Sequence, residues 1–239
     1  MDQLKLNLRK KNIKPNEIII LTDFDGTITK QDVNDEVFKK FNSQNFNLIE
    51  EKLINNEIND RKALRENFES ISEKEEQIRC FIINNISIDP YFEQFYKFNK
   101  QKDIEFGIVS GGFINYINWV FDKYNIHFAG SIYTNQLIFK KNKIIPNFLH
   151  DIKNCMIKFG PCGNCKSNVI IEIKNVTKKK IIYIGDGLTD RCIADKVDIL
   201  FAKQNSILEQ YCNKKSINHI IFKNFNDILQ DVKKILDGE

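Results

Sequence analysis

Four carboxylates, one hydroxyl and a few glycines carry the chemistry open to this 239-residue chain. Asp23 and Asp25 stand two apart in Asp23-Phe24-Asp25-Gly26-Thr27, directly after the apolar run Ile18-Ile19-Ile20-Leu21. Carboxylates this close raise one another's pKa, and Mg²⁺, a hard cation that takes oxygen ligands, is the natural neutraliser. Gly185-Asp186-Gly187-Leu188-Thr189-Asp190 follows a second apolar run, Ile181–Ile184, and adds two more carboxylates. Ser110-Gly111-Gly112 follows a third, Ile104–Val109, and precedes the helical pattern Phe113–Tyr124. A hydroxyl and backbone N–H groups at a helix N-terminus make an anion site. Singly, each motif also reads more plainly: an Asp-Gly turn at Asp25, an ordinary strand-to-helix turn at Ser110, a solvated Asp190. Together they supply acidic groups and a cradle of phosphate size, and lack only a cation to meet a substrate's charge.

The elements that must position these residues are short apolar runs alternating with helical patterns. Two more such runs lie at Val197–Ala202 and His219–Phe222. Short apolar runs ended by Asp or Gly read as buried parallel strands, and their alternation with helices predicts an α/β, doubly wound, mostly parallel sheet. In such a sheet the carboxyl ends of the strands share one edge, where ligands bind. Residues 31–102 break the rhythm. They hold no convincing strand, and Val33, Val37, Phe38 and Phe41 share one helical face, as do Leu64, Phe68 and Ile71. Ser72 and Glu75 fit a capping box before Ile78, Phe81 and Ile82, and Asp89-Pro90 fits the start of a helix returning to the core. A core of residues 1–30 and 103–239 with a helical cap at 31–102 is therefore expected. A β-hairpin is expected around Lys140–Asn142, followed by an irregular loop to Lys166.

With those motifs in place, the chain resembles a haloacid dehalogenase (HAD) superfamily phosphatase of the phosphoserine-phosphatase-like branch, with a C1-type helical cap on a Rossmann-like sheet. The resemblance runs from about Ile18 to Leu229, and the 84 residues between Asp25 and Ser110 leave room for the cap. It implies Asp23 as a nucleophile that forms an aspartyl-phosphate, and Asp25 as general acid and base. It implies Mg²⁺ held by the Asp23 and Asp186 side chains and the Asp25 backbone, with Asp190 orienting the metal's shell or a lysine. Ser110, Gly111, Thr27 and Lys166 would hold the phosphate. Lys166 lies in Cys162-Gly163-Asn164-Cys165-Lys166, which is similar to the Cys-Gly-x-Cys-Lys segment of the methionine-salvage phosphatase. That favours 2-hydroxy-3-keto-5-methylthiopentenyl-1-phosphate as substrate. Asp32 points the same way, because phosphoserine phosphatases carry a Glu there. Arg65 points to phosphoserine, because it falls where those enzymes grip a carboxylate; a solvated helix face is the plainer reading. Phosphoserine, phosphocholine and phosphoethanolamine stay open as alternatives, as do phosphotransfer and a non-catalytic phosphate-binding role.

Composition bounds the rest. Hydrophobic residues at 42% and charged residues at 28% are globular values, and a net charge of +4 does not demand a polyanion. Short lysine runs without stacking aromatics argue against nucleic acid. No apolar run approaches membrane length, and residues 1–16 lack the apolar stretch of a secretory signal. Six cysteines are too sparse for a disulfide scaffold, so a reduced, cytoplasmic protein is expected, and the resemblance implies a small phosphorylated metabolite as its partner. His150, Cys155, Cys162 and Cys165 could bind zinc, but only the Cys-x-x-Cys spacing is typical, and a loop that positions Lys166 is favoured.

Overall fold

The computed structural model describes residues 13–141, 143–149 and 162–238. Seven strands form one sheet: β1 (Ile18–Thr22), β2 (Glu105–Phe113), β3 (Ser131–Lys140), β4 (Lys143–Asn147), β5 (Lys180–Gly185), β6 (Ile199–Lys203) and β7 (Ile220–Phe222). Their order is β4-β3-β2-β1-β5-β6-β7. All pairs are parallel except the β3–β4 hairpin. Every residue of β1 is buried, as a strand covered on both faces requires.

The chain leaves β1 for β2 on one side and later adds β5 on the other, so the switch point lies at β1. Thr22 pairs with both Ile108 and Ile184. The next residues beyond those levels are Asp23, Val109-Ser110 and Gly185-Asp186. Strand register alone thus brings the three motifs to one edge.

Helices α1 (Val33–Phe41), α2 (Ser43–Ile54), α3 (Asp60–Glu69) and α4 (Glu75–Asn85) follow β1. They bury one face each, including Val33, Val37 and Phe38 of α1 and Leu64 and Phe68 of α3. They pack on one another, on α6 (Ile114–Lys123) and, through α3, on β4. Phe68 meets Phe113 at the end of β2 edge-on, 5.3 Å between centroids. Helix α5 (Phe92–Gln101) lies instead against β2 and against α9 (Phe225–Asp237). There Phe92, Phe95, Phe106 and Phe225 interlock with centroids 5.1–6.3 Å apart, each pair contributing about 1 kcal/mol beyond its buried area. Helices α7 (Lys166–Val176) and α8 (Ile207–Lys215) cover the other face of the sheet.

Three local expectations need correction. Helix α4 is preceded by Lys74, whose N–H donates to Gln77 Oε1 at 2.9 Å, while the Ser72 N–H bonds Glu73; the Ser72–Glu75 box does not form. Helix α5 starts two residues after Pro90, because the Asp89 carboxylate is shared between the N–H groups of Tyr91 (2.8 Å) and Phe225 (3.3 Å). Ser110-Gly111-Gly112 is not a turn after a strand that ends at Val109. Strand β2 continues to Phe113, and its register with β3 slips between Val109 and Phe113. The three residues form a bulge that turns them toward the crevice.

Candidate active site

Strand β1 delivers Asp23 buried at the sheet edge, its N–H bonded to the Ile184 carbonyl at 2.8 Å. Its Oδ1 accepts from the Phe24 N–H at 2.7 Å, and its Oδ2 lies 2.7 Å from Lys166 Nζ. Asp25 is held on both oxygens as well: Oδ1 accepts from the Val33 N–H at 3.2 Å, and Oδ2 from the Ser110 hydroxyl at 3.2 Å. Gly26 turns the chain just after Asp25 at φ +71°, and a Cβ there would strike Asp186 Oδ2 at 2.5 Å. Thr27 donates its hydroxyl to Asp186 Oδ1.

The bulge has two different glycines. A Cβ on Gly112 would sit 2.5 Å from Asp25 Oδ2, so only glycine lets the carboxylate approach. A Cβ on Gly111 would meet nothing within 4 Å, so this backbone borders open space. The carbonyls of the bulge are tied back by Asn164 Nδ2 on Ser110 (3.0 Å), Asn135 Nδ2 on Gly111 (3.0 Å) and Thr134 Oγ1 on Gly112 (2.8 Å).

Lys166 opens α7 and is only 1% exposed. Its ammonium lies between Asp23 and Asp190, 2.6 Å from Asp190 Oδ1. Burial alone would lower its pKa. Asp190 and Asp23 outweigh that effect and hold it charged. Asp190 spends both oxygens on protein donors. Lys166 and the Tyr183 phenol (2.7 Å) take Oδ1, and the N–H groups of Asp186 (3.1 Å) and Gly187 (2.9 Å) take Oδ2. Asp190 therefore fixes Lys166 and the Asp186 loop.

Burial raises the carboxyls of Asp23 and Asp25 above the usual range, opposed chiefly by Lys166 for Asp23 and by the Val33 N–H for Asp25. Burial and then Asp190 push Asp186 up to about 6. Oxygens of Asp23, Asp186 and Asp190 lie within 4.8 Å of one another, and these three form the only group of metal-ligating side chains among the described residues. An all-carboxylate donor set is what a hard divalent cation takes. Because Asp190 is saturated, Asp23 and Asp186 are the side chains with capacity for it.

This has a testable consequence. Folded protein keeps the Asp186 proton up to about pH 6, whereas the unfolded chain releases it near 3.8, so this group's contribution to stability falls as pH rises through that window. A bound divalent cation reverses the cost. The rise in Tm on adding Mg²⁺ in place of EDTA should be larger at about pH 7.5 than at about pH 4.5. Equal shifts at both values would contradict a carboxylate-held metal.

The structure thus brings together Asp23, Asp25, Thr27, Ser110, Gly111, Lys166, Asp186 and Asp190. Asp32 is exposed and caps α1, accepting from the Asp35 N–H at 3.0 Å. Arg65 is exposed, with its guanidinium 5.1 Å over the Phe148 ring. His150 and Cys155 lie outside the described residues. Cys162 faces Arg61, whose Nε donates to the Cys162 carbonyl at 3.2 Å. Cys80, Cys165, Cys192 and Cys212 are free thiols.

Sequence reasoning missed Tyr183, Asn164, Lys203 and Tyr116. Tyr183 was legible only as the one polar-tipped side chain in the run Ile181–Ile184. Asn164 offered no signal. Lys203, at the end of β6, donates to the Gly26 carbonyl at 2.5 Å and opposes the rise in Asp186. Tyr116 is buried without a hydrogen-bond partner for its hydroxyl, and the charges of Asp25 and Asp32 act on it.

A sheet edge of this kind is that of a phosphatase, and its fold is the one phosphoserine phosphatases share. The chain belongs to the family described as "Putative Phosphatase", whose model matches residues 18–227. It is 27% identical over 227 residues to "Pdp3-interacting factor 1" of Schizosaccharomyces pombe, covering 92% of this chain and 96% of that protein. It is 29% identical over 222 residues to the "2-hydroxy-3-keto-5-methylthiopentenyl-1-phosphate phosphatase" of Lysinibacillus sphaericus, covering 92% and 95%. Among solved structures it matches a substrate-bound phosphoserine phosphatase complex with TM-score 0.67 at 19% identity, covering 92% of this chain and 99% of that one.

Proposed function

We propose that the chain is a Mg²⁺-dependent phosphatase that hydrolyses a small phosphate monoester through an aspartyl-phosphate on Asp23. The observation that carries this is the pair of carboxylates held apart in role: Asp23 against Lys166, Asp25 against Ser110. An Asp23 oxygen attacks phosphorus, and the phosphorus–oxygen bond to the alcohol breaks. Asp25, whose raised pKa lets it carry a proton, gives that proton to the departing alkoxide. Water then attacks the aspartyl-phosphate and passes its proton to Asp25, which frees Asp23 and inorganic phosphate. Lys166, the Ser110 hydroxyl and the open backbone at Gly111 face the phosphoryl oxygens and stabilise their charge. Mg²⁺ on Asp23 and Asp186 would supply Lewis-acid stabilisation of the same charge.

The favoured substrate is 2-hydroxy-3-keto-5-methylthiopentenyl-1-phosphate, as in the Lysinibacillus and Bacillus cereus relatives. Two observations support it over phosphoserine: position 32 is an Asp where phosphoserine phosphatases carry a Glu, and Arg65 rests on Phe148. Arg65→Ala should therefore change kcat/KM by less than about threefold on any member of the panel below, as for an exposed cation–π contact. A selective loss with phosphoserine would restore the phosphoserine reading. In the same reading α1–α4 form the cap, while α5, inside the interval 31–102, goes with the core through β2 and α9. Free thiols at Cys80, Cys165, Cys192 and Cys212 favour a cytoplasmic location, and no described helix is long and apolar enough to cross a membrane.

The experiment is phosphate release from the methylthiopentenyl phosphate, phosphoserine, phosphocholine, phosphoethanolamine and an aryl phosphate, each with Mg²⁺ and with EDTA. Mg²⁺-dependent release led by the first is expected. Release led by phosphoserine would replace the substrate, and release unchanged by EDTA would remove the metal.

A further inference from the structure

The first turn of α3 reaches the segment that carries Lys166. Asn59 caps that helix, its side chain accepting from the Lys62 N–H at 3.0 Å. The next residue, Asp60, accepts the Gly163 N–H on Oδ2, and Arg61 holds the Cys162 carbonyl at 3.2 Å. Gly163 is packed on all sides: a Cβ there would stand 3.0 Å from the Gly111 carbonyl oxygen, 3.1 Å from Asp60 Oδ2 and 3.2 Å from Leu64 Cδ1. Asn164 follows, buried, with its amide on the carbonyls of Ser110 (3.0 Å) and Tyr133 (2.9 Å). Lys166 comes two residues later. Residues 162–165 have no helix or strand of their own to hold them. Asp23 and Asp190 fix the far end of the Lys166 side chain and α7 packs on the sheet behind it, while the loop in front is held by side-chain bonds from outside it.

We propose that Asp60 is a positioning residue: by accepting the buried Gly163 N–H it fixes the Cys162–Cys165 loop, and so places Lys166 and the Ser110–Gly112 bulge for phosphate. The proposal rests on the reading of Lys166 as a phosphate ligand. It makes phosphate affinity depend on a helix outside the sheet that carries the chemistry. A buried N–H stripped of its acceptor is costly, so the loop would shift to find water.

Two variants isolate the acceptor from the charge. Asp60→Asn removes the charge and keeps an oxygen that can accept from Gly163. Asp60→Leu removes both. Losing a negative charge near the site should favour phosphate, so any weakening comes from the lost acceptor. Binding of inorganic phosphate with Mg²⁺ present is measured by calorimetry, and KM and kcat with an aryl phosphate. Asp60→Leu should weaken phosphate about tenfold and raise KM more than it lowers kcat, while Asp60→Asn stays within about twofold of the parent. Gly163→Ala, which presses the loop against the Gly111 carbonyl, should weaken phosphate likewise and serves if Asp60→Leu does not fold. A lower Tm with unchanged phosphate affinity would overturn the proposal, as would Asn and Leu variants that behave alike. Lys166→Gln separates the two layers. If it weakens phosphate and neither the Asp60→Leu nor the Gly163→Ala variant does, only the positioning role fails. If it does not weaken phosphate, the Lys166 reading fails and the proposal with it.

Discussion

Asp23→Asn is expected to stop turnover while leaving the protein folded and at least as stable. The amide cannot form an acyl-phosphate as a carboxylate does, and removing one member of a catalytic set typically costs about 10,000-fold or more in kcat. Stability should move the other way. Asp23 is buried, and burial, Asp190 and Asp186 all raise its pKa against the pull of Lys166. An uncharged isostere relieves that crowding and keeps one oxygen to accept from the Phe24 N–H or from Lys166, which stays paired with Asp190. Steady-state turnover and thermal melts of the two proteins check both halves. Turnover within about 100-fold of the parent would sink the covalent route.

The second large effect is expected for Lys166→Ala, and it is structural as well as catalytic. Lys166 is 1% exposed and stands between two carboxylates at 2.6 and 2.7 Å. Deleting the cation leaves buried charges unpaired, which costs roughly 3–5 kcal/mol. For a chain of this size that lowers Tm by roughly 6–20 °C at neutral pH. The loss should shrink as pH falls, because protonation of Asp23, already raised, relieves the orphaned pair. It should shrink also when Mg²⁺ is added. Calorimetric melts across pH, with and without Mg²⁺, read both trends. A Tm within about 3 °C of the parent at neutral pH would show that the ion pairs contribute little.

The two expectations differ because the four clustered carboxylates outnumber the two lysines that act on them, Lys166 and Lys203. Removing a carboxylate lessens the imbalance, and removing the lysine worsens it. Sites of this kind trade stability for activity.

The residue order alone determined which apolar runs become the parallel strands. The runs before Asp23, Ser110 and Asp186 are too apolar to be anything but buried, and each leads into the residues that carry the chemistry. That places the four carboxylates and Ser110-Gly111-Gly112 at one edge. The pattern could not say that Ser110–Gly112 lie in the strand, because a bulge is set by the register of the neighbouring strand. Nor could it set helix starts in residues 31–102. Asp89 divides its carboxylate between Tyr91 and Phe225, 136 positions away from the latter.

Only the tertiary structure decided what each charged group does. Asp190 becomes a holder of Lys166 and of its own loop because Tyr183, on the neighbouring face, meets it at 2.7 Å. Arg65 rests on an aromatic ring because α3 packs on β4. Asp60 reaches Gly163 across 103 positions of sequence. Local pattern records which side chains must be buried. It does not record which distant partner satisfies a polar group once it is there, and at this site those long-range bonds assign the roles.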